Sequence, residues 1–220
     1  NDTDNLCIAA ILERGDHRDS FISSNNIPFE KLPNYSVVAT SSNRRRAQIL
    51  KMNSKIKVIS IRGNIDTRIK KLDNGYCDGI VLASAGLQRL QILNRVSNYF
   101  KDDEMLNAPA QGAIAVETRN SGEIKELVSK LDHQNTRLCV SQERIFLKTL
   151  MGGCTSPIGA YAEINKNAIS LKGSVLSLDG MKSITKELKR EYNNSDIGVD
   201  LAYFILNNGG DEILANTRSK

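Results

Sequence analysis

Tryptophan is absent from this chain, aromatic residues make up only 5 % of it, and histidine occurs twice. Proteins that hold single-stranded nucleic acid stack bases on aromatic rings. With so few rings, and with acidic residues spread among the basic ones, that class ranks low despite the run Arg44-Arg45-Arg46. No apolar run approaches the roughly 20 residues of a membrane span. The first residues, Asn1-Asp2-Thr3-Asp4-Asn5, have neither the basic region nor the apolar core of a secretion signal. The four cysteines, Cys7, Cys77, Cys139 and Cys154, are widely spaced and form no CxxC pair. This argues against a zinc site or a disulfide framework and fits a reducing cytoplasm. Three of them lie inside apolar patterns and read as buried small residues. Cys154 does not.

What is present fits a globular protein. The 220 residues are 40 % apolar and 25 % charged, enough for one large domain or two smaller ones. The net charge of +5 favours an anionic partner without saying which. Leu6 to Leu12 is an apolar run that reads as a buried strand. It begins so near the start that further sequence upstream is expected to cover it. Arg14 to Asp19 reads as a polar loop, His17 as a solvated member of it, and His133 as part of another polar stretch.

From Ser36 strand and helix alternate three times. Strands are expected at Ser36 to Ala39, Lys57 to Ile61 and Gly79 to Ala83. Helices should start at Ser42, Asn64 and about Ala85, the first two being good N-cap residues. Such alternation implies parallel βαβ units, which put all three strand-to-helix turns at the carboxyl ends of the strands, where open α/β sheets bind ligands. Helix N-termini offer free N–H groups and a positive dipole to anions. Arg44, Arg45, Arg62, Arg68 and Arg89 on or beside these turns add guanidinium forks that match carboxylates. Any one of them could be a solvated surface charge. Their recurrence at equivalent turns points to a ligand with several carboxylates or phosphates.

Further on, Ala113 to Glu117 reads as a strand, and Gly122 to Leu131 and Thr136 to Leu150 as helices. Then come three antiparallel strands, Ile158 to Ile164, Ala168 to Leu176 and Ile184 to Tyr192, and a helix from Asp196 to Asn207 that ends at Gly209-Gly210. Between the second helix and the first of these strands stands Gly152-Gly153-Cys154-Thr155-Ser156-Pro157-Ile158-Gly159. Glycines permit a close approach of the backbone and leave room around the sulfur, on a loop where a reactive group can be held yet reached. Taken alone, Cys154 reads more readily as an inert residue beside a helix C-cap. The expected fold is an α/β domain with a parallel sheet, followed by a small α+β domain of three antiparallel strands with helices on one face.

Several stretches, taken together, resemble the hydroxymethylbilane synthase (porphobilinogen deaminase) family. They are Thr40-Ser41-Ser42-Asn43-Arg44-Arg45, Arg62-Gly63-Asn64-Ile65-Asp66-Thr67-Arg68, Lys71 to Gly75, Leu82 to Leu90, Gln111-Gly112-Ala113, Glu143-Arg144, Gly152-Gly153-Cys154 and Pro157-Ile158-Gly159, in the family's order. The resemblance implies a periplasmic-binding-protein-like α/β lobe over residues 14–105 and a third domain over 132–220 that carries the cysteine. It makes 1–13 and 106–131 parts of a first domain otherwise missing from this stretch.

It further implies an enzyme that joins porphobilinogen units with loss of ammonia into a linear tetrapyrrole. The units are built on a dipyrromethane cofactor attached by a thioether to Cys154. Arg44, Arg45, Arg62, Arg68 and Arg89 would bind cofactor and substrate carboxylates, with Thr40 and Ser42 assisting. The partner would be a small molecule, with neither nucleic acid nor membrane, and the enzyme a cytoplasmic monomer. The family's catalytic aspartate would lie upstream of residue 1, so this stretch alone is expected not to make product. Asn107-Ala108-Pro109-Ala110 departs from the family's Pro-Ala-x-Gly run. A plain anion-binding module is the rival reading, and the Cys154 loop with the third domain argues against it.

Overall fold

The computed structural model describes residues 5–153, 155–191 and 196–218. Its centre is a five-stranded sheet in the order β4-β3-β5-β2-β6. These are β2 (Asp19–Ser23), β3 (Val37–Ala39), β4 (Lys57–Ile59), β5 (Gly79–Ala83) and β6 (Asn98–Tyr99). β3 pairs parallel with both β4 and β5, as the alternation of strand and helix requires. The crossovers are α1 (Asn43–Met52) and α2 (Ile65–Asp73), and the short α3 (Ser84–Arg89) follows β5.

One strand departs from expectation. β2 begins at Asp19, the last residue of the supposed polar loop, and lies antiparallel between β5 and β6. All five of its residues are buried. Phe21 packs with Phe29 and Phe100 at ring centroid separations of 5.5 and 6.3 Å, and burying a side chain of this size contributes about 1.5–3 kcal/mol.

A second, smaller sheet joins β1 (Leu6–Ile11) to β7 (Ala115–Arg119) antiparallel, with α4 (Glu123–Ser129) beside it. β1 is buried only in its second half. Leu6 and Ile8 are exposed, because a two-stranded ribbon with one helix covers only part of the strand.

The third sheet has the order β10-β9-β8 and is antiparallel throughout: β8 (Ile158–Asn165), β9 (Ala168–Leu176) and β10 (Ser183–Glu191). Two helices, α5 (Gln134–Thr149) and α6 (Ile197–Ile205), supply its core through Phe146, Leu150, Ile197, Leu201 and Ile205. The helix breaks before Gly209-Gly210, as expected. Leu206–Gly210 makes a kink, with Gly209 at φ 97°, and α7 (Asp211–Arg218) follows. The α/β lobe and the α+β unit expected from the sequence are both present.

Candidate anion site and cysteine loop

The parallel pairing of β3, β4 and β5 brings the three polar turns to one sheet edge. Thr40 is buried, its N–H donates to the Ile59 carbonyl (2.8 Å), and its hydroxyl accepts from Ser42 N (3.2 Å). Ser42 caps α1, accepting from Arg45 N. Asn64 caps α2, accepting from both N and Oγ1 of Thr67 at 2.9 and 2.8 Å. The third turn differs. α3 has only six residues and no side-chain cap, and its first residue, Ser84, is buried against Ser20 at 2.6 Å. Arg89 stands in the last turn of α3, away from that turn.

The five arginines separate by environment. Arg44 points inward and is 4 % exposed. Its Nη1 donates to Asp19 Oδ2 and to the Leu106 carbonyl, both at 2.7 Å, and its Nη2 donates to Gln111 Oε1 at 3.3 Å. Arg45 turns its Nε and Nη2 to Asp19 Oδ1 (3.0 and 2.7 Å) and its Nη1 to the Val81 carbonyl (3.1 Å). Asp19 is fully buried. Burial opposes its charge, but Arg44 and Arg45 together outweigh it and hold the carboxyl below its ordinary value.

Arg68 donates from Nε to the Gly63 carbonyl at 2.8 Å. Partial burial, with repulsion from nearby Arg45, lowers its pKa, so these two cations share one neighbourhood. Arg62 and Arg89 are exposed, and neither guanidinium has an acceptor among the described residues. The edge therefore presents Arg45, Arg68 and Arg62 close to the caps of two helices. Arg44 is a buried partner of Asp19.

The cysteine loop leaves the C-terminus of α5. Gly152 N donates to the Leu147 carbonyl at 2.9 Å. A Cβ on Gly152 would lie 2.5 Å from Ile158 Cδ1 and 2.7 Å from Leu147 Cδ1, so the close approach expected there is real. At Gly153 a Cβ would meet open space. Gly153 N donates to Ser156 Oγ and Ser156 N to the Gly153 carbonyl, each at 3.0 Å. Asn43, the first residue of α1, donates from Nδ2 to the Thr155 carbonyl at 2.8 Å. The loop is thus tethered to the N-terminus of the helix that carries Arg44 and Arg45. Cys154 itself, the expected attachment residue, lies outside the described residues.

Of the other thiols, Cys77 and Cys139 are buried, and burial pushes each up to about 11, which makes them poor nucleophiles at neutral pH. Cys7 is only partly buried.

Three polar residues matter more than their sequence setting suggested. Asp19 is the buried counter-charge of the arginine pair. Glu143, on α5, is fully buried. It accepts from Arg14 Nη1 (2.5 Å) and Nη2 (3.1 Å), Ala110 N (2.6 Å) and Ala162 N (2.8 Å), so it joins α5 to the loop after β1, the 108–111 turn and β8. Gln111 donates from Nε2 to the His17 carbonyl (2.7 Å) and Asp19 Oδ1 (3.1 Å), while its own carbonyl accepts from Arg14 Nε (3.0 Å). A carboxylate inside a run of charged residues reads as solvated, and only the apolar strand after Asp19 could have hinted otherwise. His17 is likewise half-buried and partnered rather than fully solvated. It stacks on Tyr161 at 3.8 Å and bonds Asp102 at 3.0 Å, because β8 packs over that loop. His133 caps α5.

The family model described as "Porphobilinogen deaminase, dipyromethane cofactor binding domain" matches residues 1–126. The model "Porphobilinogen deaminase, C-terminal domain" matches residues 137–207. The chain belongs to the porphobilinogen deaminase family.

A porphobilinogen deaminase of Clostridium acetobutylicum is 45 % identical over 175 residues, covering 80 % of this chain and 60 % of that one. Those of Chloroherpeton thalassium and Thermus thermophilus are 39 % and 41 % identical, each over 97 % of this chain and over 70 % and 72 % of their own length. The chain therefore spans 60–72 % of these curated porphobilinogen deaminases. Among solved structures, a TRAP periplasmic solute binding protein from Pseudomonas putida F1 with bound D-glucuronate covers 66 % of this chain and 44 % of its own. Its identity is 13 % and its TM-score 0.38.

Proposed function

We propose that this chain is the anion-binding and cysteine-bearing part of a hydroxymethylbilane synthase, which condenses porphobilinogen stepwise, with loss of ammonia, into a linear tetrapyrrole. The observation that carries this reading is the Asn43–Thr155 hydrogen bond. It holds the cysteine loop against the helix N-terminus from which the arginine edge begins. A plain anion binder has no use for a cysteine there.

The residues present fit a dipyrromethane, whose two rings each carry an acetate and a propionate. Arg62 offers a whole guanidinium, Arg45 and Arg68 add charge beside it, and the start of α2 adds the N–H groups and positive dipole of a helix N-terminus. Arg62, Arg68 and Arg45 would hold carboxylates, each charge-assisted bond contributing about 1.5–3 kcal/mol. Thr40 and Ser42 would assist by fixing the first turn of α1, and Arg89 would serve from the end of α3. Cys154 would anchor the group through a thioether and not turn over. When bound, the dipyrromethane supplies the pyrrole carbon to which further units are joined. Asp19 is not the proton donor for that chemistry, since both its oxygens are occupied and its charge is held by two guanidiniums. The enzyme is read as a cytoplasmic monomer acting on a small molecule, with no nucleic acid or membrane as partner.

The intact mass of the chain, extended to the length of its relatives, tests this. An adduct of dipyrromethane mass should be present in the wild type and absent after Cys154→Ser. An adduct that survives the substitution would overturn the assignment of Cys154, and a wild type without any adduct would overturn the cofactor reading.

A further inference from the structure

We propose that Asp19 is the positioning residue of the anion edge: it sets the Arg45 guanidinium and, through Gln111, keeps it in register with the helix that leads into the cysteine loop. The inference rests on the function proposed above.

The geometry is continuous. Asp19 divides its oxygens. Oδ2 takes Arg44, while Oδ1 takes Arg45 twice and Gln111 once. Arg44 is the inner half of the device. At 4 % exposure, and bonded to Asp19, the Leu106 carbonyl and Gln111, it cannot turn outward without leaving Asp19 with half its counter-charge. Its use is to fix Asp19. Arg45 is the outer half, with a side chain 11 % exposed and three of its donors fixed by Asp19 and Val81. A guanidinium has five N–H groups, so two have no acceptor among the described residues, and the three bonded ones fix the plane in which those two lie. Such preorganisation, at a half-buried position, is what makes an ion pair worth more than the small value of an exposed, freely moving one.

Gln111 then carries the register. Its side chain bonds Asp19 and Arg44, and its carbonyl holds Arg14, whose guanidinium is paired with Glu143 on α5. That helix ends four residues before Gly153. A shift of α5 would be felt at Asp19 through a chain of hydrogen bonds whose two ends, Glu143 and Asp19, are fully buried and whose middle, Arg14 and Gln111, is half-buried.

The test uses a double-mutant cycle in the full-length enzyme, reading KM for porphobilinogen, kcat, melting temperature and intact mass. Asp19→Asn keeps the shape and removes the charge. It should raise KM about ten- to hundred-fold while kcat changes far less. In an Arg45→Leu background, where nothing is left to position, the same change should raise KM by less than about threefold. A merely structural Asp19 would raise KM equally in both backgrounds, and that result, or an unchanged KM in the single variant, overturns the proposal. If Asp19→Asn does not fold, Gln111→Met removes one bond to Asp19 and leaves its charge paired. It should raise KM in the same Arg45-dependent way, and additivity there overturns the proposal equally. The wild-type adduct mass separates the two layers: its absence defeats the proposed function, whereas its presence with additive KM effects defeats only the role of Asp19.

Discussion

Glu143 shows how much one side chain can join. Its two oxygens accept four N–H groups from three separate parts of the chain, and the carboxylate itself is fully buried. Removing one partner of a buried pair leaves the other charge stranded, at a cost of about 3–5 kcal/mol. Glu143→Ala should therefore unfold earlier by about 6–20 °C at this chain length, which calorimetry would measure. A change within 2 °C or so would mean that Arg14 finds water instead. Asp19 has a different signature. Its carboxyl is held below the ordinary value of 3.8 in the folded chain. The stability it contributes is therefore complete above that value and is lost only as pH falls through the depressed one.

The elements were legible to the extent that local chemistry decides them. β5 was readable residue for residue, and the caps Ser42 and Asn64 marked two helix starts, because capping is a short-range matter of one side-chain oxygen and one N–H group. Asn64→Ala should lower stability by about 1 kcal/mol, seen as a shift in the urea midpoint with unchanged slope. An unaltered midpoint would show that water replaces the cap. β2 was not legible. Its five residues, Asp-Ser-Phe-Ile-Ser, begin with a charge that only Arg44 and Arg45, some 25 positions later, make affordable in a core. The same limit hid His17, whose stacking partner Tyr161 lies far along the chain. The candidate site divides along this line. The turns and their arginines were visible as a pattern, whereas the choice of Arg44 as an inward-facing residue depended on Asp19, Leu106 and Gln111.

At the scale of the molecule, apolar side chains are left in water around the smaller sheet. Leu6 and Ile8 on β1, Ile114 before β7, and Ile124 and Leu127 on α4, with Leu131 just after it, are 42–71 % exposed. Exposed apolar surface of this kind promotes association. The 220-residue polypeptide expressed by itself should show a mass in light scattering that grows with concentration, and the pair Ile124→Glu and Leu127→Lys should suppress that growth. A concentration-independent monomer mass would count against it. The two hairpin turns of the C-terminal sheet also have unlike fates. Gly180, at φ 73°, sits so close to α1 that a Cβ would fall 2.5 Å from Lys51 N and 2.6 Å from the Ala47 carbonyl, whereas Lys166 lies in an exposed turn. For anyone wishing to graft a reporter peptide or a circularly permuted joint onto this scaffold, the Asn165–Asn167 bend is the permissive splice point. The Asp179–Gly180 bend is a keystone, and an insertion there would wedge the cysteine-bearing unit off the helix that carries the arginines.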